Sequence, residues 1–283
     1  MTAFNNYATL SYNGLKAVSN LVTGEIVDSL RMTKTAVAEA YSPGGSVTYA
    51  VSILNAGATD YSGLALSDDL GAYTFDTETL VPLTYEAGSL QYFVNGEVQA
   101  PPTVAAGPPL TVTGINVPAG GNVMLLYAVT VNDYAPPCSG GQVENTVTLT
   151  GSTVAEALIA SETLSPSCEA ELSITKAITP SSVSRSGELA YTFVITNNGG
   201  QAAEAADNVS VTDVFSPVLN GLTVTLNGSA LTAAQYSYDA ATGTFTTNPG
   251  VITVPAAVFA QDPETGMWTR SPGVTTLTVS GTI

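Results

Sequence analysis

Apolar and polar residues alternate with a period of two through most of the chain. The alternation is clear in Gly45-Ser46-Val47-Thr48-Tyr49-Ala50-Val51-Ser52-Ile53, in Asn122 to Val131, and in Val143-Glu144-Asn145-Thr146-Val147-Thr148-Leu149. Successive side chains of a strand point to opposite faces of its sheet, so such runs read as half-buried strands. They recur at short intervals between Gly, Pro, Asn and Asp, and no window carries a helical period. Two hairpins are signalled locally, Gln91 to Val98 around Asn95-Gly96 and Tyr236 to Thr247 around Ala241-Thr242-Gly243. The pattern predicts an all-β chain of sandwich type.

The pattern also repeats. Gly45 to Ile53 returns as Gly187-Glu188-Leu189-Ala190-Tyr191-Thr192-Phe193-Val194-Ile195, at an offset of 142 that also relates Asn55 to Asn197 and Gly57 to Gly199. Leu64-Ala65-Leu66-Ser67-Asp68 is answered by Val209-Ser210-Val211-Thr212-Asp213. Residues 29–169 and 170–283 therefore read as tandem copies of one sandwich. The opening residues 1–28 match neither start. Phe4-Asn5-Asn6-Tyr7-Ala8-Thr9-Leu10 corresponds instead to Val143 to Leu149, the first strand of the hairpin that closes the middle domain. Lysine follows at similar distances, 28 residues from Asn6 to Lys34 and 31 from Asn145 to Lys176. The opening segment is read as a closing hairpin without its domain, and the last domain, whose final run is Gly273 to Ile283, as a domain without its closing hairpin. The loop from Asp262 to Gly273, with the only tryptophan, Trp268, is expected to be exposed.

Composition narrows the function. The formal net charge is -17, with 23 acidic residues against three lysines and three arginines. Nucleic acid and anionic membranes attract basic patches and are not expected partners. Histidine is absent, which excludes histidine acid/base catalysis and histidine-ligated metals. No cofactor and no metal site are expected. The pair Asp68-Asp69 reads as a solvated acidic surface before it reads as a cation site. No nucleophile elbow or phosphate loop is present, so no enzyme is expected. The longest apolar run, around Val123 to Val131, is too short to span a bilayer, and Met1-Thr2-Ala3-Phe4-Asn5 shows no signal peptide. Cys138 and Cys168 bracket the closing hairpin of the middle domain, where a disulfide is geometrically natural and worth roughly 3 kcal/mol. The alternative is two free buried thiols.

Three polar residues point into each predicted core. Lys34 shares a face with Leu30 and Met32, Asp68 with Leu64 and Leu66, and Asn145 with Val143 and Val147. In the second copy Lys176 joins Leu172, Ile174 and Ile178, and Asp213 joins Val209 and Val211, while Asn6 joins Phe4, Ala8 and Leu10 of the opening hairpin. Unpaired burial of such groups is costly, so they are expected to meet. Desolvation drives a lysine toward its neutral, nucleophilic amine and a carboxyl toward its acid. Lysine, carboxamide and proton donor are the ingredients of an internal isopeptide bond, with Asp68 and Asp213 as the assisting acids, Lys34 bonded to Asn145 within the chain, and Lys176 bonded to Asn6 between chains. The alternative is a buried ion pair with asparagine as its neighbour.

The motifs Thr-Lys in the first strand, Gly-x-x-x-Tyr-x-x-x-x-x-Asn in the second, Val-Thr-Asp in the third, and Asn-x-x-Thr opening the closing hairpin resemble the Ig-like repeat domains of bacterial and archaeal surface proteins. The middle domain departs with Leu66-Ser67-Asp68 in the third strand. The resemblance implies two tandem Ig-like β-sandwich domains and an extracellular, structural role. The polar constellation is similar to that of isopeptide-bonded pilins and adhesins.

A domain of about 140 residues should be ~35–40 Å across, and the short connections near Asp28 and Cys168 reach only ~10 Å. The hairpin is therefore expected to enter the last domain of a neighbouring copy as an N-terminal donor β-hairpin, giving a head-to-tail homopolymer. The expected setting is a filament on a cell or spore surface, with a tip or anchor protein of unspecified identity. The alternative is an excised piece of a multi-repeat surface stalk or adhesin.

Overall fold

In Ser46–Asn55 every second residue from Val47 to Asn55 is buried, and in Asn122–Val131 every second residue from Val123 to Val131. These two strands pair antiparallel, Tyr49 opposite Tyr127, at the centre of the first sheet. The computed structural model describes residues 2–26, 29–138, 140–154 and 156–283, and the boundary expected at Asp28 lies outside them. It is all-β among the described residues apart from one short 3-10 turn, Ala205–Asp207.

The middle sandwich has two sheets. One runs in the order Glu97–Gln99, Gln91–Val94, Asn122–Val131, Ser46–Asn55, Leu30–Ala36. The other runs Thr103–Ala105, Leu110–Val117, Tyr61–Asp68, Val143–Thr150, Leu158–Pro166, Ala40–Tyr41. Between them lies one apolar core that includes Tyr49, Ile53, Leu66, Leu125 and Leu149. Asn95 and Gly96 both take positive φ, 51° and 82°, which gives the tight turn between Gln91–Val94 and Glu97–Gln99.

The second sandwich repeats five strands of the first sheet in the same order: Ser229–Ala230, Asn220–Leu226, Gly273–Thr282, Glu188–Asn197, Leu172–Thr179. Among its described residues it has no match for Leu83–Tyr85, which pairs with the end of Asn122–Val131 in the first. Its other sheet has three strands, Tyr236–Asp239, Thr244–Thr247 and Thr212–Val214. Asp213 lies opposite Phe245 as Asp68 lies opposite Leu110, so Thr212–Val214 holds the place of Tyr61–Asp68. Val143–Thr150, which pairs with the other edge of Tyr61–Asp68 in the first copy, and Leu158–Pro166 beyond it have no counterpart among the described residues of the second. The third strand is also shorter than its sequence predicts, and Val211 is held instead by the hydroxyl of Thr247, 2.9 Å from its N–H.

The repeated asparagine and glycine serve one loop in both copies. The Asn55 Oδ1 accepts the N–H of Gly57 at 2.9 Å, and its Nδ2 donates to the carbonyls of Thr59 and Pro118. Asn197 does the same with Gly199, Gln201 and Pro255. A Cβ on Gly199 would fall 1.9 Å from the carbonyl oxygen of Glu169, so the connection between the sandwiches passes only because this residue is glycine.

Trp268 is not free in solvent. It lies in a hairpin, Val258–Gln261 with Trp268–Ser271, whose backbone reaches the first sandwich: the Trp268 N–H donates to the carbonyl of Asp133 at 2.8 Å. A Cβ on Gly140 would come within 2.7 Å of the indole. A contact between separate surfaces leaves no periodic signal in a sequence, which is why the loop reads as exposed. A Gly140→Val substitution should dislodge the indole and shift the single-tryptophan emission to the red, while an unchanged spectrum would contradict this packing.

Candidate functional site

Leu30–Ala36, Tyr61–Asp68 and Val143–Thr150 bring three polar side chains into the first core. Lys34, Asp68 and Asn145 are all buried. The Lys34 Nζ donates to Asp68 Oδ2 at 2.9 Å, and neither side chain has exposed surface. The Tyr127 hydroxyl donates to the same oxygen, and the Leu70 N–H donates to Oδ1 at 2.8 Å. The ammonium lies 4.6 Å from the centre of the Tyr49 ring. Burial holds the Lys34 amine below the ordinary lysine value, against the pull of Asp68, and pushes the Tyr127 hydroxyl up, so that it remains a proton donor.

Asn145 belongs to the same buried face. Its neighbour two residues on, Val147, pairs directly with Asp68. Its Oδ1 accepts the Gly71 N–H at 3.2 Å, but its buried Nδ2 makes no well-formed hydrogen bond, with the Tyr49 hydroxyl its nearby polar neighbour. An unsatisfied buried donor costs about 1–3 kcal/mol. That cost disappears if the nitrogen departs as ammonia. A carboxamide with a polarised oxygen and an unheld nitrogen, in a core with a buried amine, has the composition needed for amide exchange.

The second sandwich carries the same ion pair without its cover. Lys176 donates to Asp213 Oδ2, but the two side chains are 41% and 19% exposed. The lysine sits among the rings of Tyr191, Phe193 and Phe215, at 4.5, 5.5 and 5.6 Å. Along the same strand Leu172 is 40% exposed where its counterpart Leu30 is 5% exposed, and Ile174 and Ile178 also face solvent. No asparagine reaches this site among the described residues. Asn6 lies in the opening hairpin, opposite Val22.

That hairpin pairs Thr2–Asn6 with Val22–Ile26 and Thr9–Tyr12 with Leu15–Val18. Asn13 and Gly14, with φ of 44° and 75°, make its turn, and Phe4 packs across Gly24. Phe4, Tyr7, Leu10, Tyr12, Leu15, Val18, Leu21 and Val22 are all exposed. A two-stranded ribbon with one largely apolar face, Phe4, Leu10, Tyr12, Leu15 and Val22, is marginal in water alone.

Several functional groups escaped the sequence reading. Tyr127 was the hardest to foresee, because the second copy has Val279 in its place, opposite Tyr191. Asp68 and Asp69 do not form a solvated acidic pair, because only Asp69 reaches the surface. Asp68 is buried in the core, while Asp69 Oδ1 accepts the N–H groups of Gly71 and Thr146, each at 2.9 Å. Among the described residues there is no cluster of His, Cys, Asp and Glu that would hold a metal. Cys138 and Cys168 are joined, with Cα atoms 5.5 Å apart, at the end of the closing hairpin. No helix among the described residues is long and apolar enough to cross a membrane.

No family model matches the chain. None of the curated proteins matches it significantly. Among solved structures the chain is similar to the major pilin subunit BcpA of Bacillus cereus, at 12% identity over 96% of this chain and 73% of that one, with a TM-score of 0.37. It is also similar to the pilus backbone RrgB from Streptococcus pneumoniae, at 11% identity over 87% of this chain and 55% of that one, TM-score 0.35. A collagen-binding domain from a Staphylococcus aureus adhesin matches at 11% identity over 50% of this chain and 99% of that one, TM-score 0.32. With identities this low, function has to be read from this chain's own residues.

The two lysines should differ sharply in their contribution. In monomeric chains Lys34→Ala strands a buried carboxylate and should cost about 3–5 kcal/mol in the first sandwich. Lys176→Ala removes a solvent-screened pair and should cost under about 1 kcal/mol in the second. Chemical denaturation followed on each sandwich checks this, and equal losses would contradict the difference in burial.

Proposed function

We propose that the chain is a structural subunit of an extracellular filament, in which residues 1–28 of one copy complete the sandwich formed by residues 170–283 of the next, while 29–169 is complete by itself. One observation carries this reading: the second sandwich is open where the first seats its closing hairpin, and the exposed opening hairpin has the sequence of such a closing hairpin. Both surfaces gain by meeting, since a free sheet edge and an apolar face are covered together. The contact joins the front of one copy to the back of another, so it propagates head to tail. A tip or anchor protein would end the series.

In the first sandwich the neutral Lys34 amine attacks the Asn145 side-chain carbonyl carbon. The new Nζ–C bond forms, the C–Nδ2 bond breaks, and Asp68, relayed by Tyr127, carries a proton from Nζ to the departing nitrogen, which leaves as ammonia. In the second, Lys176 attacks Asn6 of the incoming hairpin, and Asp213 carries the proton from Nζ to the departing nitrogen without a tyrosine relay, since Val279 stands where Tyr127 does. The bond then ties subunit to subunit. The disulfide fits an oxidising, extracellular setting.

Boiled in detergent with reductant, the assembled protein should run as a ladder on a denaturing gel, with every joint and every first sandwich lighter by one ammonia. A single band at the unmodified mass would contradict the cross-links. A monomer lighter by one ammonia, with no ladder, would leave only the Lys34 to Asn145 bond and favour a stalk segment. The reaction should also depend on pH. Only the unprotonated amine attacks, so ammonia loss from chains released from urea should speed up as pH rises. Because burial lowers the Lys34 pKa, the rise should level off below the ordinary lysine value of 10.5; a rate still climbing beyond it would contradict the mechanism.

A further inference from the structure

The outer face of each joint carries its own row of residues, distinct from the lysine sites beneath. In the complete sandwich Asp69 follows Asp68 and turns to the other side of the sheet. Its Oδ1 accepts the backbone N–H of Thr146 at 2.9 Å, and its own N–H donates to the carbonyl of Thr146 at 3.0 Å. The Thr146 and Ser161 hydroxyls are 2.9 Å apart on paired strands. The row Asp69, Thr146, Ser161 is polar throughout.

The open sandwich replaces this row. Asp213 is aligned with Asp68 by its lysine partner and its place in the sheet, and the next residue, at the position of Asp69, is Val214, 59% exposed. Aligning Asn6 with Asn145 puts Tyr7 at the position of Thr146. Tyr7 lies between the Asn6 and Val22 pair and the bonds that join Ala8 to Ser19, so it faces the extra residues Asn20 and Leu21 across the ribbon. Tyr7 and Leu21 are 62% and 59% exposed. In the corresponding row Val214 and Tyr7 are exposed, and of the two residues that face Tyr7 across the ribbon, Asn20 and Leu21, Leu21 adds a third exposed apolar side chain.

We infer that this outer row is the specificity determinant of assembly: the open sandwich selects hairpin 1–28 of a second copy through Val214, Tyr7 and Leu21, and the complete sandwich keeps its own hairpin through Asp69, Thr146 and Ser161. The inference rests on donor complementation as proposed above. Aromatic and β-branched residues directly across a strand pair favour each other. The wrong combinations are penalised from both sides. Hairpin 1–28 in the complete sandwich would lay the Tyr7 ring over the Asp69 carboxylate, and hairpin 143–166 in the open one would set hydroxyls beside Val214. The lysine, aspartate and asparagine of the inner faces are common to both sites and do not by themselves make this distinction.

The test is a competition between full-length chains. Wild-type chains and Tyr7→Thr/Leu21→Ser chains, mixed in equal amounts, are allowed to assemble, and the hairpins recovered in the assembled fraction are counted by mass spectrometry. Wild-type hairpins should dominate on the order of tenfold, and the preference should vanish or invert when the same mixture is made in a Val214→Asp background. Equal incorporation in both backgrounds, with assembly intact, would overturn the inference and leave donor complementation standing. No assembly of the wild-type chain alone would instead remove the reading on which it rests. All three positions are exposed, so the variants test recognition rather than folding, and near-normal recovery by Val214→Ile would support an apolar contact.

Discussion

A sandwich with an uncovered sheet edge leaves backbone donors, acceptors and apolar side chains in water, and that constraint governs this molecule. The first sandwich meets it internally, by placing Val143–Thr150 against Tyr61–Asp68 and Leu158–Pro166 beyond it. The second meets only half of it. The cost appears at particular residues: Leu172, Ile174 and Ile178 face solvent, and the lysine pair lies open, although the strands that bear them match the first copy one for one. The opening hairpin has the complementary problem, a ribbon whose apolar residues Phe4, Leu10, Tyr12, Leu15 and Val22 are exposed.

The two lysine sites are one site at two stages of coverage. In the first copy the closing strand brings the carboxamide and excludes water together, so the buried amine, its acid and its target exist only once folding is complete. In the second the amine and acid already touch, but the carboxamide is on another element. On the proposed mechanism, reaction at the first site would follow folding, and reaction at the second would follow docking, so that Lys176 would stay unreacted until a neighbour's hairpin arrives.

Much of this was legible in the sequence, because strand alternation is a short-range signal and the repeat doubles every observation. The buried faces of Leu30–Ala36, Ser46–Asn55 and Val143–Thr150, and the meeting of Lys34 with Asp68, follow from a period of two. What was not legible depends on contacts between separate surfaces or on differences between the copies. Tyr127 was hidden because repetition highlights what is shared, and its counterpart is Val279. Asp69 looked solvated because two adjacent acids resemble a surface pair, although alternation sends them to opposite faces. Trp268 sits in a hairpin whose partner surface, around Asp133 and Gly140, lies more than a hundred residues away in sequence.

The central claim is that the second sandwich of one copy is completed by the hairpin of another. It is tested most directly by growing the protein separately in light and heavy nitrogen, mixing the unfolded chains in equal amounts, allowing assembly, and digesting the product. Complementation between copies predicts a cross-linked pair of peptides, one containing Lys176 and the other Asn6, of which about half carry one light and one heavy member, as random pairing requires. Cross-linked pairs of a single isotope only would mean that the hairpin closes its own chain, and an unmodified Lys176 peptide would remove the covalent joint altogether.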